Sequence, residues 1–224
     1  AAPLNHRILA ANRIVSWNKR DTRTPAFDVL RTKVLTTMKS NGWRTLAVTS
    51  PTEGCGKTVV SINLAFSIAH QMASEVLLVD FDLRQPRVAS YLGIAPSADL
   101  TAFLEGRTPL TTYMVAAGGA RLGVLPTVET RPNATELLSQ SRSEWFFAEL
   151  KATQSLTIGV FDVPPLLSTD DALAVIPRID CVLLIVTESL TTKTDLSEAL
   201  SLIAGANLLG VVLNKSRIDF QPYY

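Results

Sequence analysis

The order of apolar and polar positions divides the chain into short apolar runs and longer amphipathic segments. The runs have strand length and lack polar alternation, which is typical of strands buried on both faces of a sheet. They cover residues 46–49, 76–79, 122–125, 156–161, 181–187 and 208–213. Helical spacing between them predicts helices at 57–70, 87–92, 100–104, 169–176 and 192–204. This alternation predicts an α/β fold, with a mostly parallel β-sheet flanked by helices on both faces.

Two further helices have start signals in single residues. Thr24 and Pro25 resemble an N-cap followed by a proline in the first turn, and apolar residues then recur at helical spacing to Met38. The segment 133–136, Asn-Ala-Thr-Glu, resembles a capping box and predicts a helix that runs to about residue 151. Residues 1–23 are mixed and polar, so we expect an extended arm with a short helical piece.

The composition is typical of a globular protein with one large core. The chain has 224 residues, of which 47% are hydrophobic and 18% charged. No apolar run approaches the roughly 18 residues that span a bilayer, and no secretory signal opens the chain. Its two cysteines lie in different segments and suggest no disulfide framework. A reducing, cytoplasmic environment is therefore expected.

The net charge of +1 is unevenly distributed. Residues 1–44 carry nine Lys or Arg against Asp21 and Asp28, a net charge of about +7, which leaves about −6 on the remainder. Such a stretch can lie against the chain's own acidic domain, an anionic lipid surface or an acidic partner. No nucleic acid is expected as a partner, because residues 1–23 hold one aromatic residue, Trp17, and no known reading motif.

The strand predicted at 46–49 leads into the loop TSPTEGCGKT at residues 49–58. Gly54 and Gly56 allow a tight turn whose N–H groups can surround a phosphate, and the helix that follows adds the positive end of its dipole. Lys57 would meet the β- and γ-phosphates, and the Thr58 hydroxyl would bind Mg²⁺. The residues of this segment predicted to bind the nucleotide are Gly54, Cys55, Gly56, Lys57, Thr58 and Val59.

Carboxylates follow two of the predicted strands. Asp80 and Asp82 lie two residues apart, so at a strand end both would point to one side. One would hold a Mg²⁺-bound water while the other orients or deprotonates the attacking hydroxyl, and Asp162 suits the second shell of the metal. Taken singly each could also cap a helix. The predicted metal-binding residues are Thr58, Asp80, Asp82 and Asp162, and the predicted catalytic residues are Lys57, Asp80 and Asp82.

Three other polar residues have two interpretations each. Arg84 and Arg87 follow the acidic pair, and they would either neutralise phosphate charge or pair with surface carboxylates. Asn214, at the end of the last predicted strand, would contact adenine through its amide or cap a turn. We therefore add Asn214 to the residues predicted to bind the nucleotide.

At these motifs the chain resembles the bacterial tyrosine kinases of exopolysaccharide and capsule synthesis, a MinD/ParA-like branch of the P-loop proteins. The most specific segment is DFDLRQP at residues 80–86, which fits D-x-D-x-R-x-P; ParA- and MinD-type ATPases lack it. Segments 26–32, 132–138, 161–165 and 210–215 are also similar. The resemblance implies ATP and Mg²⁺ as cofactors and ATP-dependent phosphorylation of tyrosines in a C-terminal tail. It implies a site formed by Lys57, Thr58, Asp80, Asp82 and Asp162.

The same resemblance implies a partner and a location. The partner is a membrane-embedded activator, the cytoplasmic segment of a polysaccharide copolymerase, either fused upstream or separate. The chain would then act at the inner face of the cell membrane. On this basis we divide it into a basic N-terminal arm (1–23), a P-loop kinase or ATPase domain (24–218) and the start of a tyrosine-bearing tail (219–224).

The chain departs from the family's pattern in two places. The ring-forming helix usually reads E-x-x-R-x-x-R, whereas the corresponding positions hold Pro25, Asp28 and Arg31, so we expect only weak self-association. The tail offers only Tyr223 and Tyr224. Two functions therefore stay open, a tyrosine autokinase that regulates polysaccharide polymerisation and export, and a non-kinase ATP-dependent switch that regulates a membrane copolymerase.

A third function, that of a partitioning or positioning ATPase, fits the sequence less well. Those ATPases carry an extra lysine early in the phosphate loop, where this chain has Thr52. They also lack the D-x-D-x-R-x-P motif that residues 80–86 supply.

Overall fold

The computed structural model describes residues 2–71, 75–96, 99–117, 120–152, 156–188 and 190–217. The strands in chain order are β1 (Ala2–Pro3), β2 (Thr45–Thr49), β3 (Glu75–Asp80), β4 (Tyr113–Ala117), β5 (Ala120–Leu125), β6 (Leu156–Asp162), β7 (Cys181–Thr187) and β8 (Leu208–Asn214). The helices are α1 (His6–Ala11), α2 (Thr24–Asn41), α3 (Lys57–Gln71), α4 (Val88–Leu92), α5 (Leu100–Leu104), α6 (Ala134–Leu138), α7 (Ser141–Ala152), α8 (Asp171–Val175) and α9 (Lys193–Leu202).

The strands form one sheet in the order β1-β4-β5-β3-β6-β2-β7-β8. In the described part of the chain, β4 and β5 pair antiparallel and the other neighbours pair parallel. β2 and β7 are buried along their whole length, as expected for strands without polar alternation. The predicted mostly parallel sheet is confirmed.

Helices cover both faces of the sheet, each over its own hydrophobic cluster. One cluster unites α1 to α4 with one face, and it includes Leu9, Val34 and Leu64. The other unites α5 to α9 with the opposite face, and Phe146 and Phe161 are among its fully buried side chains. The predicted flanking by helices on both faces is also confirmed.

The N-terminal arm belongs to the first cluster. Leu9 of α1 is fully buried, and the segment after α1 is tied to Asn63 of α3. The Asn63 side-chain oxygen accepts hydrogen bonds from the backbone N–H groups of Val15 and Ser16 at 2.7 and 2.9 Å. Its amide nitrogen donates to the Arg13 carbonyl at 3.0 Å. The hydrophobic core therefore has no break at residue 23.

Three local predictions were wrong. Arg23, not Thr24, is the N-cap of α2, and Thr24 is buried with its hydroxyl bonded to the Asn18 carbonyl. Asn133 makes no side-chain capping bond, because its backbone does not take the extended conformation of an N-cap. The single helix predicted from there to residue 151 is two helices, since α6 ends at Leu138 and α7 begins at Ser141.

Two strands at one end of the sheet, β1 and β4, were not predicted. β1 has two residues and pairs with β4, and β4 pairs with β5. The sequence between β4 and β5 is Gly118-Gly119, a pair typical of a hairpin, and it was the available signal for β4. Within the described ranges, no helix combines the length and apolar character needed to cross a bilayer.

Candidate active site

The carboxyl ends of β2, β3, β6 and β8 lie at one edge of the sheet, and each carries residues predicted for the site. The phosphate loop follows β2, Asp80 ends β3, Asp162 ends β6 and Asn214 ends β8. Asp162 is opposite Asp80 in the register of β3 with β6, and opposite Val48 in the register of β2 with β6. The parallel sheet thereby brings the loop and two of the aspartates together at the edge where α/β proteins bind ligands.

Two glycines shape the phosphate loop. Gly54 and Gly56 have φ angles of +76° and +88°, in the region that favours glycine. Asn214 braces the loop, since its amide nitrogen donates to the Cys55 carbonyl at 2.8 Å. Lys215 does the same by donating to the Gly54 carbonyl at 2.7 Å. The structure thus gives Asn214 a position against the loop, and its contact with adenine stays a prediction.

We expect the substitution Gly56→Ala to weaken nucleotide binding by at least about tenfold. A Cβ at this position would lie 2.4 Å from the Asn214 amide nitrogen, and its φ would cost a non-glycine residue about 1–2 kcal/mol. Gly205→Ala is the control, because a Cβ there meets nothing within 4 Å. Titration calorimetry with Mg-ATP would measure both variants. Unchanged affinity in Gly56→Ala would show that the loop tolerates the shift.

Cys55 lies inside the loop with its side chain buried. Its sulfur is 3.7 Å from the Thr191 hydroxyl and 3.8 Å from the Thr187 hydroxyl, which are weak contacts. These contacts fit a cysteine that fills space within the loop.

Lys57, the first residue of α3, is buried between two carboxylates. Its ammonium nitrogen lies 2.8 Å from Asp82 Oδ2 and 3.6 Å from Asp162 Oδ1. Burial disfavours its charge, yet Asp162, Asp82 and Asp80 together outweigh burial and raise the pKa of Lys57 above its usual value. The lysine therefore stays charged at the mouth of the phosphate loop.

Asp162 organises the first turn of α3. Its carboxylate accepts hydrogen bonds from the Thr58 hydroxyl at 2.6 Å and the Ser61 hydroxyl at 3.3 Å. Asp162 is fully buried, and burial raises the pKa of its carboxyl although Lys57 and Thr58 act in the opposite direction. This contact orients the hydroxyl that was predicted to bind Mg²⁺.

Asp80 and Asp82 do not share one side of a strand, because β3 ends at Asp80 and Asp82 lies in the loop beyond it. The Asp80 carboxylate accepts backbone hydrogen bonds from Asp82, Arg87 and Val88 at 3.2, 3.1 and 3.0 Å. Burial and the charge of Asp162 raise the pKa of Asp80 well above its usual value. Asp80 thus holds the loop from β3 to α4, and of the two aspartates only Asp82 contacts Lys57 directly.

The donor atoms around Lys57 fit a magnesium ion that arrives with a nucleotide. The Thr58 hydroxyl and the carboxylates of Asp82 and Asp162 are hard oxygen donors, the type that Mg²⁺ prefers. In the part of the chain that the structure describes, no three His, Cys, Asp or Glu side chains could together hold a metal ion. Mg²⁺ commonly uses one or two protein oxygens and completes its shell with phosphates and waters.

Arg84 pairs with a carboxylate that was not predicted for the site. Its guanidinium donates to Asp171 at 2.6 and 3.2 Å, and Asp171 is fully buried at the start of α8. Although burial acts to raise it, hydrogen bonds from Arg84, Thr135 and Thr169 lower the pKa of Asp171. Of the two interpretations of Arg84, the ion pair is the one observed. The signal that could have found Asp171 is its place at the start of a predicted helix.

A cleft of about 890 Å³ opens over the phosphate loop. Its lining includes Lys57, Thr58 and Asp82, together with residues from the N-terminal arm and from the segment after β8. Arg13 and Lys215 are two lining residues that were not predicted. The site is therefore built from the arm as well as from the strand ends.

The family of the chain follows from comparison with known proteins. Residues 46–222 match the model of the CobQ/CobB/MinD/ParA nucleotide binding domain. The chain belongs to this family. The predicted resemblance is confirmed more narrowly by relatives named as tyrosine-protein kinases. Tyrosine-protein kinase YwqD of Bacillus subtilis is 28% identical over 225 residues, which cover 99% of this chain and 91% of that protein.

Tyrosine-protein kinase etk of Escherichia coli K12 is 29% identical over 203 residues, 88% of this chain. The match covers 27% of that protein, so the chain corresponds to about a quarter of it. The solved kinase domain of Escherichia coli tyrosine kinase ETK superimposes with a TM-score of 0.79 at 26% identity, covering 100% of this chain and 87% of that one. The solved VpsO kinase domain gives a TM-score of 0.75 at 29% identity, covering 87% of this chain and 97% of that one. The predicted P-loop fold is confirmed.

The positions that depart from the ring motif are engaged within the chain. The Arg31 guanidinium donates to the Asp28 carboxylate and, at 3.0 Å, to the Ser67 hydroxyl of α3. The Ser67 hydroxyl in turn donates to Asp28 at 2.7 Å. Both charges are thus paired internally, and weak self-association stays a prediction. Tyr223 and Tyr224 lie outside the described residues.

Proposed function

We propose that this chain is an ATP-dependent protein-tyrosine kinase that phosphorylates itself and regulates exopolysaccharide or capsule polymerisation and export. One observation carries the proposal. The loop lysine, Lys57, contacts the Asp82 carboxylate of the D-x-D-x-R-x-P segment at 2.8 Å, which puts the cation expected to hold the γ-phosphate beside the carboxylate expected to serve the acceptor. The relatives named as tyrosine-protein kinases support the choice of tyrosine as acceptor.

Different residues of the site would bind the phosphates, the magnesium ion and the acceptor. N–H groups of the loop and Lys57 hold the phosphates in line with the acceptor. Thr58 and the acidic side chains would hold Mg²⁺, which supplies charge neutralisation at the phosphates when bound. Asp162 fixes the Thr58 hydroxyl through their 2.6 Å hydrogen bond.

Asp82 is the residue best placed to take the acceptor's proton. The tyrosine oxygen forms a bond to the γ-phosphorus while the bond from that phosphorus to the β–γ bridging oxygen breaks. ADP leaves with that oxygen, and the phenol proton passes to the Asp82 carboxylate. Asp82 is buried, and its Oδ2 lies 2.8 Å from the Lys57 ammonium that is expected to hold the transferred phosphate.

We also infer a membrane partner, the cytoplasmic segment of a polysaccharide copolymerase, and a position at the inner face of the membrane. The match covers nearly all of YwqD but 27% of etk, so in these relatives the domain accounts for very different shares of the whole protein. The basic stretch at residues 1–44 would suit an acidic partner or an anionic lipid surface.

One observation favours a second candidate, a non-kinase ATP-dependent switch. The charges of Asp28 and Arg31 are paired with each other and with Ser67 inside the chain, which leaves less to bind a neighbouring subunit. A kinase that phosphorylates its neighbour's tail needs such an assembly. The switch would instead change its affinity for the copolymerase with the bound nucleotide.

Incubation of the natural full-length protein with Mg-ATP would separate the two candidates. Phosphotyrosine would be read by immunoblot and mass spectrometry, and ADP release would be followed in the same samples. We expect phosphotyrosine that Asp82→Asn abolishes. ADP release without any phosphotyrosine, with and without the copolymerase's cytoplasmic segment, would instead identify the switch.

A further inference from the structure

The order of the strands gives the cleft two different sides. The phosphate loop follows β2, and β8 lies two positions from β2 in one direction while β3 lies two positions away in the other. Asn214 and Lys215, which brace the loop, follow β8. Asp82 and Arg87 follow β3. We call these the β8 side and the β3 side of the cleft.

Two arginines on the β3 side have no counter-charge among the residues that the structure describes. Arg13 and Arg87 line the cleft and are exposed. Among the described residues, neither guanidinium makes an ion pair or a hydrogen bond, whereas the other cations of the lining, Lys57, Arg84 and Lys215, are each bonded to a carboxylate or a carbonyl. The unused charge of the cleft is therefore concentrated on this pair.

The backbones that carry the two arginines are fixed by buried groups. The Arg87 N–H donates to the buried Asp80 carboxylate at 3.1 Å. Arg13 has a φ of +58°, in the left-handed region that few arginines adopt, and its carbonyl accepts a hydrogen bond from the buried Asn63 amide. Because Asn63 lies on α3, the turn at Arg13 is attached to the helix that begins with Lys57.

A further hydrogen bond joins the two segments to each other. The Asn12 amide donates to the Ile8 carbonyl at 3.1 Å and to the Tyr91 carbonyl of α4 at 3.3 Å. The segment at the end of α1 is thus joined to α4, and residues of both line the cleft. The backbones of Arg13 and Arg87 are held beside the cleft by their hydrogen bonds with Asn63 and Asp80.

We propose that Arg13 and Arg87 form a binding site for acidic side chains that flank the target tyrosine of the acceptor peptide. The inference rests on the proposed kinase function and specifies its substrate class. Phosphates held by Lys57 leave the β3 side free for the acceptor, and Asp82 on that side is the proposed base. Guanidinium groups bind carboxylates through paired, charge-assisted hydrogen bonds, so they select Asp or Glu over neutral residues.

Two short synthetic peptides that differ only in Glu or Gln beside a single tyrosine would test the site on the full chain. We expect the Glu peptide to have a KM about tenfold lower, with a similar kcat. The variant Arg13→Gln/Arg87→Gln should lose this preference through KM while its affinity for Mg-ATP is unchanged. Arg13→Glu/Arg87→Glu should prefer a peptide with Lys at the same positions. Arg20→Gln, an exposed arginine of the same arm outside the cleft, is the control.

Binding of the same peptides with phenylalanine in place of tyrosine, followed by fluorescence polarisation with ADP and Mg²⁺ present, needs no turnover. Stronger binding of the Glu peptide that disappears in the double Gln variant supports the site, even if no peptide is phosphorylated. Absence of phosphorylation alongside this binding would reject the kinase function but not the binding site. An equal preference in the native and double Gln proteins would overturn the inference. So would a loss of Mg-ATP affinity in the variant, since the arginines would then serve the nucleotide.

Discussion

Replacing Asp82 with asparagine should lower the turnover of Mg-ATP into phosphotyrosine by about 10²–10⁴-fold. The amide cannot accept the phenol proton, and this loss acts on the transition state. The affinity for Mg-ATP should change far less than turnover, because the loss of one magnesium ligand is offset when Asp82 Oδ2 no longer competes with phosphate for the Lys57 ammonium. The amide oxygen can still accept the hydrogen bond that Asp82 Oδ1 accepts from the Gln85 N–H at 3.0 Å.

The measurement needs kcat at saturating ATP and a separate nucleotide titration. Asp99→Asn is a matched control, since Asp99 also accepts a backbone N–H, from Thr101 at 2.9 Å, and lies outside the lining of the cleft. A variant with native turnover would show that Asp82 only positions Lys57. A variant with much weaker nucleotide binding would show that the carboxylate holds the metal more than it serves the acceptor.

Asp80→Asn should behave differently, which the sequence alone did not suggest. Asp80 is fully buried and accepts hydrogen bonds from three backbone N–H groups. The side-chain NH₂ of an asparagine is a donor, so at least one of these N–H groups would lose its acceptor. The loop from β3 to α4 would then lose its anchor, and the loss of activity would accompany a loss of stability.

The sequence predicted those parts of the site that lie at the ends of strands. Continuously apolar runs predicted the strands of a mostly parallel sheet, whose parallel strands place their carboxyl ends at one edge. The closeness of Lys57, Asp82 and Asp162 therefore needed no long-range information beyond strand order. The phosphate loop and the start of α3 at Lys57 could also be predicted, because the loop glycines and the helical spacing that follows are local signals. The run at β8 is an exception to the expected burial on both faces, since β8 is an edge strand with Leu208, Val211 and Leu213 exposed.

The remainder depended on contacts that no local pattern contains. The ion pair of Arg84 with Asp171 joins residues 87 positions apart. The hydrogen bonds from Val15 and Ser16 to Asn63 join residues 48 and 47 positions apart. The alternation rule also failed at Asp82, since it holds only inside a strand and β3 ends two residues earlier. Charge counting left open what the basic arm lies against, and the arm's apolar residues Leu4, Leu9 and Ile14 pack into the first hydrophobic cluster.

The substitution Lys57→Ala should weaken Mg-ATP binding by roughly 10–150-fold, the equivalent of about 1.5–3 kcal/mol for one lost charge-assisted contact. It should also lower stability, since Asp82 and Asp162 would be left buried without their cation, and breaking a buried pair typically costs about 3–5 kcal/mol. Lys193→Ala is the control, because Lys193 is likewise the first residue of a helix but is exposed and outside the cleft.

Calorimetric titration and thermal unfolding would separate these two effects of losing Lys57. The variant Lys57→Met/Asp82→Asn removes both members of the 2.8 Å pair, so it should recover part of the stability without recovering nucleotide affinity. Native affinity in Lys57→Ala would refute the placement of the phosphates. If the double variant recovers nucleotide affinity, then Lys57 itself is not needed to bind the phosphates. The weaker binding of Lys57→Ala would then come from the unpaired Asp82 carboxylate and its effect on folding.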